Sequence, residues 1–293
     1  MIGNIITNII DKQVPDKEVA LFLSAGVDSC SVGIAAHRLG KKVHAYTFQM
    51  KGETNFDSKH AENIAKKMGW EWTLIEVPSD NLIEDFKTLS LKYNCRKKTH
   101  FECTWPFLYV YPQIKEKYII SGILADGHWF YNKSLMIKGV VGKKSKKEDL
   151  DKERIKYFNP LMKNGRDSLN AQYNPSGWWQ QILLGDEYGK VHCNPYEEKE
   201  VFDFYMKYSW REIMEPFDKH HVIEAFQKEF DLIGHRKHQN FQTVAKIPTV
   251  FETLLNVPEI NFKNRIRIMD ICRDWYTRTN GKKTKLKSFL KGK

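Results

Sequence analysis

The stretch Val19-Ala20-Leu21-Phe22-Leu23-Ser24-Ala25-Gly26-Val27-Asp28-Ser29 decides how the rest of the chain is read. Its first five residues form an apolar run too short for a helix and apolar enough for a strand buried on both faces. The next six are small or polar and lead into residues 31–39, where small and apolar residues recur at helical spacing before Gly40, placed as a C-cap. A strand, a turn of small residues and a helix in that order make a phosphate cradle. Small residues let backbone N–H groups approach phosphate oxygens, the Ser24 and Ser29 hydroxyls add donors, and the helix N-terminus adds a positive dipole. Asp28 would repel a bare phosphate, so a magnesium ion between its carboxylate and a polyphosphate is the sensible arrangement. The alternative for so short a motif is a plain strand-to-helix turn capped by Asp or Ser.

Outward from this stretch the same alternation continues. Residues 43–49 read as a second strand, and residues 57–68 as an amphipathic helix with Ala61, Ile64, Ala65 and Met68 on its inner face, stopped by Gly69. Residues 70–77 are a third strand, 82–93 another helix, and Tyr118-Ile119-Ile120-Ser121-Gly122 a further strand ending in a turn that contains Asp126. Alternating strands and helices imply a parallel sheet with helices on both faces, a Rossmann-like α/β core, here expected over residues 1–136. The composition then changes. Residues 138–154 are rich in lysine and poor in apolar residues, so residues 137–177 are expected to be a basic, mobile loop or lid. Residues 178–281 carry mostly helical signals, at 197–207, 219–230 and 244–255, and predict a helical extension packed on the sheet. Residues 282–293 form a tail with six lysines in twelve residues, expected to fray.

Composition narrows the class. The 293 residues suffice for one large domain or two modest ones, and 41% hydrophobic content allows a sizeable core. A net charge of +11 favours phosphate-bearing ligands or acidic surfaces. No run of eighteen apolar residues occurs and the first ten residues lack a signal-peptide pattern, so the chain is expected to be neither secreted nor membrane-spanning. The five cysteines, Cys30, Cys95, Cys103, Cys193 and Cys272, form no CxxC pair and are odd in number, which argues against a disulfide framework or thiolate zinc site and makes the cytoplasm the default.

With these residues in view, Ser24 to Ser29 resembles the SGGxDS pyrophosphate loop of the N-type ATP pyrophosphatases, with Ala25 in place of the first glycine. It does not resemble a Walker loop. Alanine keeps that position small but does not adopt a positive φ cheaply. Residues 118–126 resemble the strand and SGEGxDE loop of the asparagine synthetase and β-lactam synthetase group. Asn194-Pro195-Tyr196, followed by Glu200-Val201-Phe202-Asp203-Phe204, is similar to their PxLD-like helix start, and Arg236-Lys237-His238-Gln239-Asn240-Phe241 to their RxKxxF segment.

The resemblance implies cleavage of ATP between its α and β phosphates by an ATP-dependent carbon–nitrogen ligase, with small-molecule carboxylate and amine substrates. Ser24, Ala25, Gly26, Val27, Asp28, Ser29 and Gly122 would then lie against the nucleotide, Thr47 and Phe48 would read and cover adenine, and Asp28 and Asp126 would hold magnesium. Asp126 and Lys237 would be catalytic, Lys237 neutralising charge on the phosphates or the tetrahedral intermediate, with Lys246 the other candidate. Phe48 fits a core position equally well. The family's glutaminase domain begins with a cysteine, whereas residue two here is Ile2; free ammonia, an amine or a separate amidotransferase is therefore expected to supply nitrogen. Ile123 stands where the SGEG glutamate would, and Gly127 where its last acidic residue would.

His100, Glu102 and Thr104 fall in the substrate-contacting region of the resembling family. The pairs His220 with His221 and His235 with His238 have no nearby third ligand in sequence, so solvated or helix-end roles are expected. Trp178-Trp179-Gln180-Gln181 and the lysine tail open a second reading, an enzyme of the same superfamily that adenylates a nucleobase in tRNA or DNA. Ile123 and Gly127 open a third, a nucleotide-binding protein that has lost catalysis.

Overall fold

The computed structural model describes residues 1–53, 56–93, 95, 98–129, 142, 144–164 and 177–235. Strands β1 (Glu18–Phe22), β2 (Lys42–Met50), β3 (Glu71–Val77), β4 (Tyr118–Ile120) and β5 (Val191–Cys193) form one sheet in the order β3-β2-β1-β4-β5, and every pairing is parallel. Leu21 of β1 stands opposite Ala45 of β2 on one side and Ile120 of β4 on the other.

The apolar run of β1 is explained by its central position. Val19 and Leu21 enter the hydrophobic cluster on one face of the sheet and Ala20 the cluster on the other, as the two-residue strand period requires. All three are fully buried, and sealing a side chain the size of Val19 or Leu21 from water is worth about 1.5–3 kcal/mol.

Helices cover both faces. α1 (Ile2–Gln13) and α2 (Val27–Arg38) pack together on the first cluster, and Ile2, Ile6, Ile9 and Ile10 form the buried stripe of α1. α3 (Phe56–Met68) buries Ala61, Ile64, Ala65 and Met68, the four residues expected from its periodicity. α4 (Leu82–Leu91), α5 (Lys98–Thr104) and the short α6 (Phe107–Val110) supply the second cluster, where Phe101, Trp105 and Tyr111 are fully buried.

The structure departs from the sequence reading in five places. α1 was not anticipated. Residues 147–154, expected within a mobile basic loop, belong instead to a helix, α8 (Lys147–Asn164), which follows the four-residue α7 (Ala125–His128). Leu150, Arg154 and Phe158 recur every four residues on its buried side; the lysines that suggested a loop lie mainly on the other. Arg154 Nη1 donates to the carbonyls of Tyr205 at 2.9 Å and Tyr208 at 3.1 Å, pinning the helix down.

Beyond α9 (Trp178–Glu187) the chain is not wholly helical: β5 completes the sheet beside β4. The helix expected over 197–207 is a 3-10 turn, Pro195–Glu197, then α10 (Lys199–Tyr205). After α11 (Trp210–Met214), the helix expected over 219–230 divides into α12 (His220–Ala225) and α13 (Gln227–Ile233), separated at Phe226, whose backbone (φ −121°, ψ 31°) is not helical. α12 returns to pack on α1 and α2. The helix expected over 244–255 and the lysine tail lie outside the described residues.

Among the described residues no helix is long and apolar enough to cross a membrane.

Candidate active site

The strand order puts a reversal between β1 and β4: from β1 the chain moves outward to β2 and β3, then returns to the other side for β4 and β5. Loops leaving the C-terminal ends of two strands at such a point diverge to opposite faces and leave a crevice between them. The loop after β1 is Ser24 to Gly26 and the loop after β4 contains Ser121 and Gly122, so the residues singled out in the sequence meet there.

The β1 loop is pre-organised by its own hydroxyls. Ser29 Oγ donates to the Gly26 carbonyl at 3.1 Å, accepts from the Ser24 amide at 3.2 Å, and lies 3.1 Å from Ser24 Oγ. Ala25 adopts φ 57°, the positive value that costs alanine about 1–2 kcal/mol relative to a right-handed conformation. Gly26 is the N-cap of α2 and no side chain caps that terminus. A twelve-residue helix thus points its N-terminus into the crevice, where it favours an anion.

The β4 loop presses against this cradle. A Cβ on Gly122 would come 2.5 Å from the backbone carbon of Asp28, so only glycine allows the two loops to approach this closely. Leu124 (φ 67°) turns the chain into α7 and brings Asp126 to the same place as Asp28. Between them lies Lys219, whose Nζ donates to Asp28 Oδ1 at 2.7 Å and is 3.7 Å from Asp126 Oδ1. Its side chain is 4% exposed and its ammonium sits 4.6 Å from the centre of the Trp129 ring, a cation–π distance. Burial raises the Asp28 carboxyl above the usual carboxylate range; the Lys219 ammonium opposes that shift and the neighbouring Asp126 carboxylate adds to it.

The other expected residues have these places. Thr47 is buried, donates to the Leu23 carbonyl at 2.9 Å and accepts from Trp72 Nε1 at 3.1 Å, which leaves its hydroxyl tying β2 to β1. Phe48 is half-buried against Phe107, their ring centres 5.6 Å apart. His100, Glu102 and Thr104 are all buried on α5, beneath α9: Gln180 Nε2 lies 3.4 Å from His100 Nδ1, and Gln181 donates to the Cys103 carbonyl at 2.9 Å. Trp178 is 1% exposed and donates to Glu197 at 3.2 Å, so it offers no surface on which a base could stack. His220 and His221 lie with ring centres 4.0 Å apart, and His220 Nε2 donates to the Glu212 carbonyl at 2.8 Å. No group of three or more His, Cys, Asp or Glu side chains able to hold a metal occurs among the described residues. Ile123 is half-buried, and Gly127 packs under Tyr157, where a Cβ would meet the ring at 2.5 Å. Lys237, Lys246 and His238 lie outside the described residues.

Lys219 was missed in the sequence. It precedes a short helix and follows Pro216, and nothing in its local pattern separates it from the other lysines; its role arises from a contact 191 residues away. Asn194 was noted only for its motif. It is fully buried just after β5, and its Oδ1 accepts from Ser121 Oγ at 2.6 Å, so the ends of β4 and β5 are joined at the crevice. Tyr196 is likewise buried, its hydroxyl 2.7 Å from that of Ser31 on α2.

A family model described as asparagine synthase matches residues 6–177, more than half of the chain, including both loops of the crevice. Residues 194–204 and 236–241, which resemble two further motifs, lie beyond that match. No curated protein matches the chain.

Proposed function

Because the chain belongs to the asparagine synthase family, a family of ATP-dependent synthetases, we infer that it is a carbon–nitrogen ligase that adenylates a substrate carboxylate and transfers the acyl group to ammonia or an amine. The observation that carries this reading is the meeting of the Ser24–Ser29 loop and Asp126 across the β1/β4 crevice, with one buried ammonium between their carboxylates.

In this reading the polyphosphate of ATP lies along the β1 loop, held by backbone N–H groups and the α2 dipole. A substrate carboxylate oxygen bonds to the α phosphorus as the bond from that phosphorus to the bridging oxygen breaks, releasing pyrophosphate. The nitrogen nucleophile then bonds to the acyl carbon, the carbon–oxygen bond to AMP breaks, and the nitrogen gives up its proton. Residue 123 is isoleucine, so that proton leaves to water or to the departing phosphate rather than to a side chain at this position. The work of the protein is to position and to neutralise charge.

Asp28 and Asp126 fit a magnesium ion: their Oδ1 atoms converge on one cationic nitrogen, and both are the hard oxygen donors that magnesium takes beside phosphate oxygens. When bound, the ion supplies charge neutralisation at the phosphates. Thr47 and Phe48 of β2 point to opposite faces of the sheet, so it is the backbone there that is proposed to read adenine, and Lys237 is proposed to reach the phosphates from its own segment.

The reading is tested by mass spectrometry of products after incubation with magnesium, ATP, ammonium and a pool of amino acids, aspartate included. AMP, pyrophosphate and a new amide are expected, and Asp28→Ala should abolish all three. ADP and phosphate in their place would refute the mechanism. ATP binding without turnover on any substrate would instead point to a nucleotide-binding protein without catalysis. With Trp178 buried and Trp179 half-buried, the nucleic-acid reading keeps at most one partly exposed aromatic, and the lysine tail on which it also rests lies outside the described residues.

A further inference from the structure

Lys219 stands on the spot where Asp28 and Asp126 converge. Its position is built rather than incidental: the side chain is 4% exposed, Trp129 walls its ammonium at 4.6 Å, and the backbone takes φ 65° to deliver it from the start of α12. Holding a strongly hydrated ammonium out of water is costly unless it is matched by opposite charge. Here the match is two carboxylates, which without a cation between them would repel. A divalent ion added to the same oxygens would face that ammonium at close range, and the two like charges repel most where water is excluded, on the Asp28 side. Polyphosphate oxygens would restore the balance and give the ammonium a new partner.

We propose that Lys219 is an internal counter-ion that excludes free divalent cations from the Asp28–Asp126 pair while no nucleotide is bound. The inference rests on the reading of that pair as metal ligands. It makes Lys219 a positioning residue and implies that metal enters together with polyphosphate rather than ahead of it.

Manganese(II), followed by electron paramagnetic resonance, is the probe, titrated into the full chain without nucleotide. Lys219→Met keeps the apolar stem and removes the charge; it should bind manganese about tenfold or more tightly than wild type, the scale on which one adjacent charge shifts carboxylate equilibria. Asp28→Asn added to that variant should remove the gained binding. Equal affinity in wild type and a folded Lys219→Met, or gained binding that survives Asp28→Asn, overturns the proposal. Should Lys219→Met fail to fold, Lys219→Gln, which retains a donor for Asp28 without the charge, gives the same comparison. The titration repeated with ATP tests the underlying reading separately. Wild type that takes up manganese neither alone nor with ATP, beside a variant that binds it alone, would keep the counter-ion and refute the nucleotide site.

Discussion

Replacing Gly122 by alanine tests the central contact of the crevice. The added Cβ would lie 2.5 Å from the backbone carbon of Asp28 and 2.7 Å from both its Cβ and its carbonyl oxygen, whereas ordinary contacts begin at 3.4 Å. The overlap is nearly an ångström, and it falls on loop backbone rather than on the end of a flexible side chain. The end of β4 and the start of α2 must therefore move apart. Overpacking of this kind costs about 1–3 kcal/mol, and the upper half of that range applies because backbone has to shift. For a chain of 293 residues that corresponds to a melting temperature lower by about 3–5 °C. Gly26→Ala is the control: at φ −86° alanine is unstrained, and its Cβ would meet only Ser24 Oγ at an ordinary 3.5 Å. It should change stability by no more than about 1 kcal/mol, because alanine restricts the unfolded chain but is the poorer N-cap. Urea unfolding followed by circular dichroism measures both. Since displacing a reacting group by about an ångström can cost on the order of a hundredfold in rate, Gly122→Ala should also lose most AMP formation while remaining folded. A Gly122→Ala protein with the wild-type urea midpoint would refute the close approach, and one that is destabilised but fully active would refute the loop's role in placing ATP.

Two further substitutions follow from strain and burial. Ala25→Gly relieves a left-handed alanine but gives up a buried methyl and frees the unfolded chain, terms of about 1 kcal/mol each way, so the urea midpoint should move little; a loss above about 2 kcal/mol would mean that the methyl matters more than the strain. His128 lies fully buried, stacked between Phe158 and Tyr205, with Nε2 donating to the Tyr196 carbonyl at 2.8 Å, and burial pushes its imidazole down to about 3 from an ordinary 6.5. The unfolded chain therefore binds a proton that the folded one refuses, and stability falls as pH drops through 6.5 toward 3, by about 2 kcal/mol between pH 7.5 and 5. Unfolding free energies measured at several pH values should fall less steeply in His128→Gln over that window; an unchanged slope would refute the assignment.

The sequence made the β1 loop legible because strand, small-residue turn and helix follow one another there without interruption, and local chemistry alone fixes what such a turn can hold. The parallel sheet was legible for the same reason: Val19 to Leu23 is apolar on both faces, and the glycines at 40 and 69, both with positive φ, mark where α2 and α3 stop. What escaped was either too short or too distant. β5 is three residues long, too few for periodicity to register. The stripe of Leu150, Arg154 and Phe158 was obscured by lysines around it, and by an arginine that is buried because carbonyls of Tyr205 and Tyr208 await it. Ile2, Ile6 and Ile9 of α1 do stand at helical intervals, and Ile10 extends the same stripe. Lys219 could not be read at all, since a lysine becomes a counter-ion only when the fold brings distant carboxylates to it.

The packing of α1 also governs the order in which the molecule can be completed during synthesis. The face formed by Ile2, Ile6, Ile9 and Ile10 is covered by α2, α10 and α12, and Gly3 sits against Ala225. Translation delivers residues 199–225 long after residues 2–10, so the nascent chain carries a greasy helix with most of its shelter still inside the ribosome. That face can close only once the far segment has emerged, and truncations that end before residue 199 should collect in inclusion bodies.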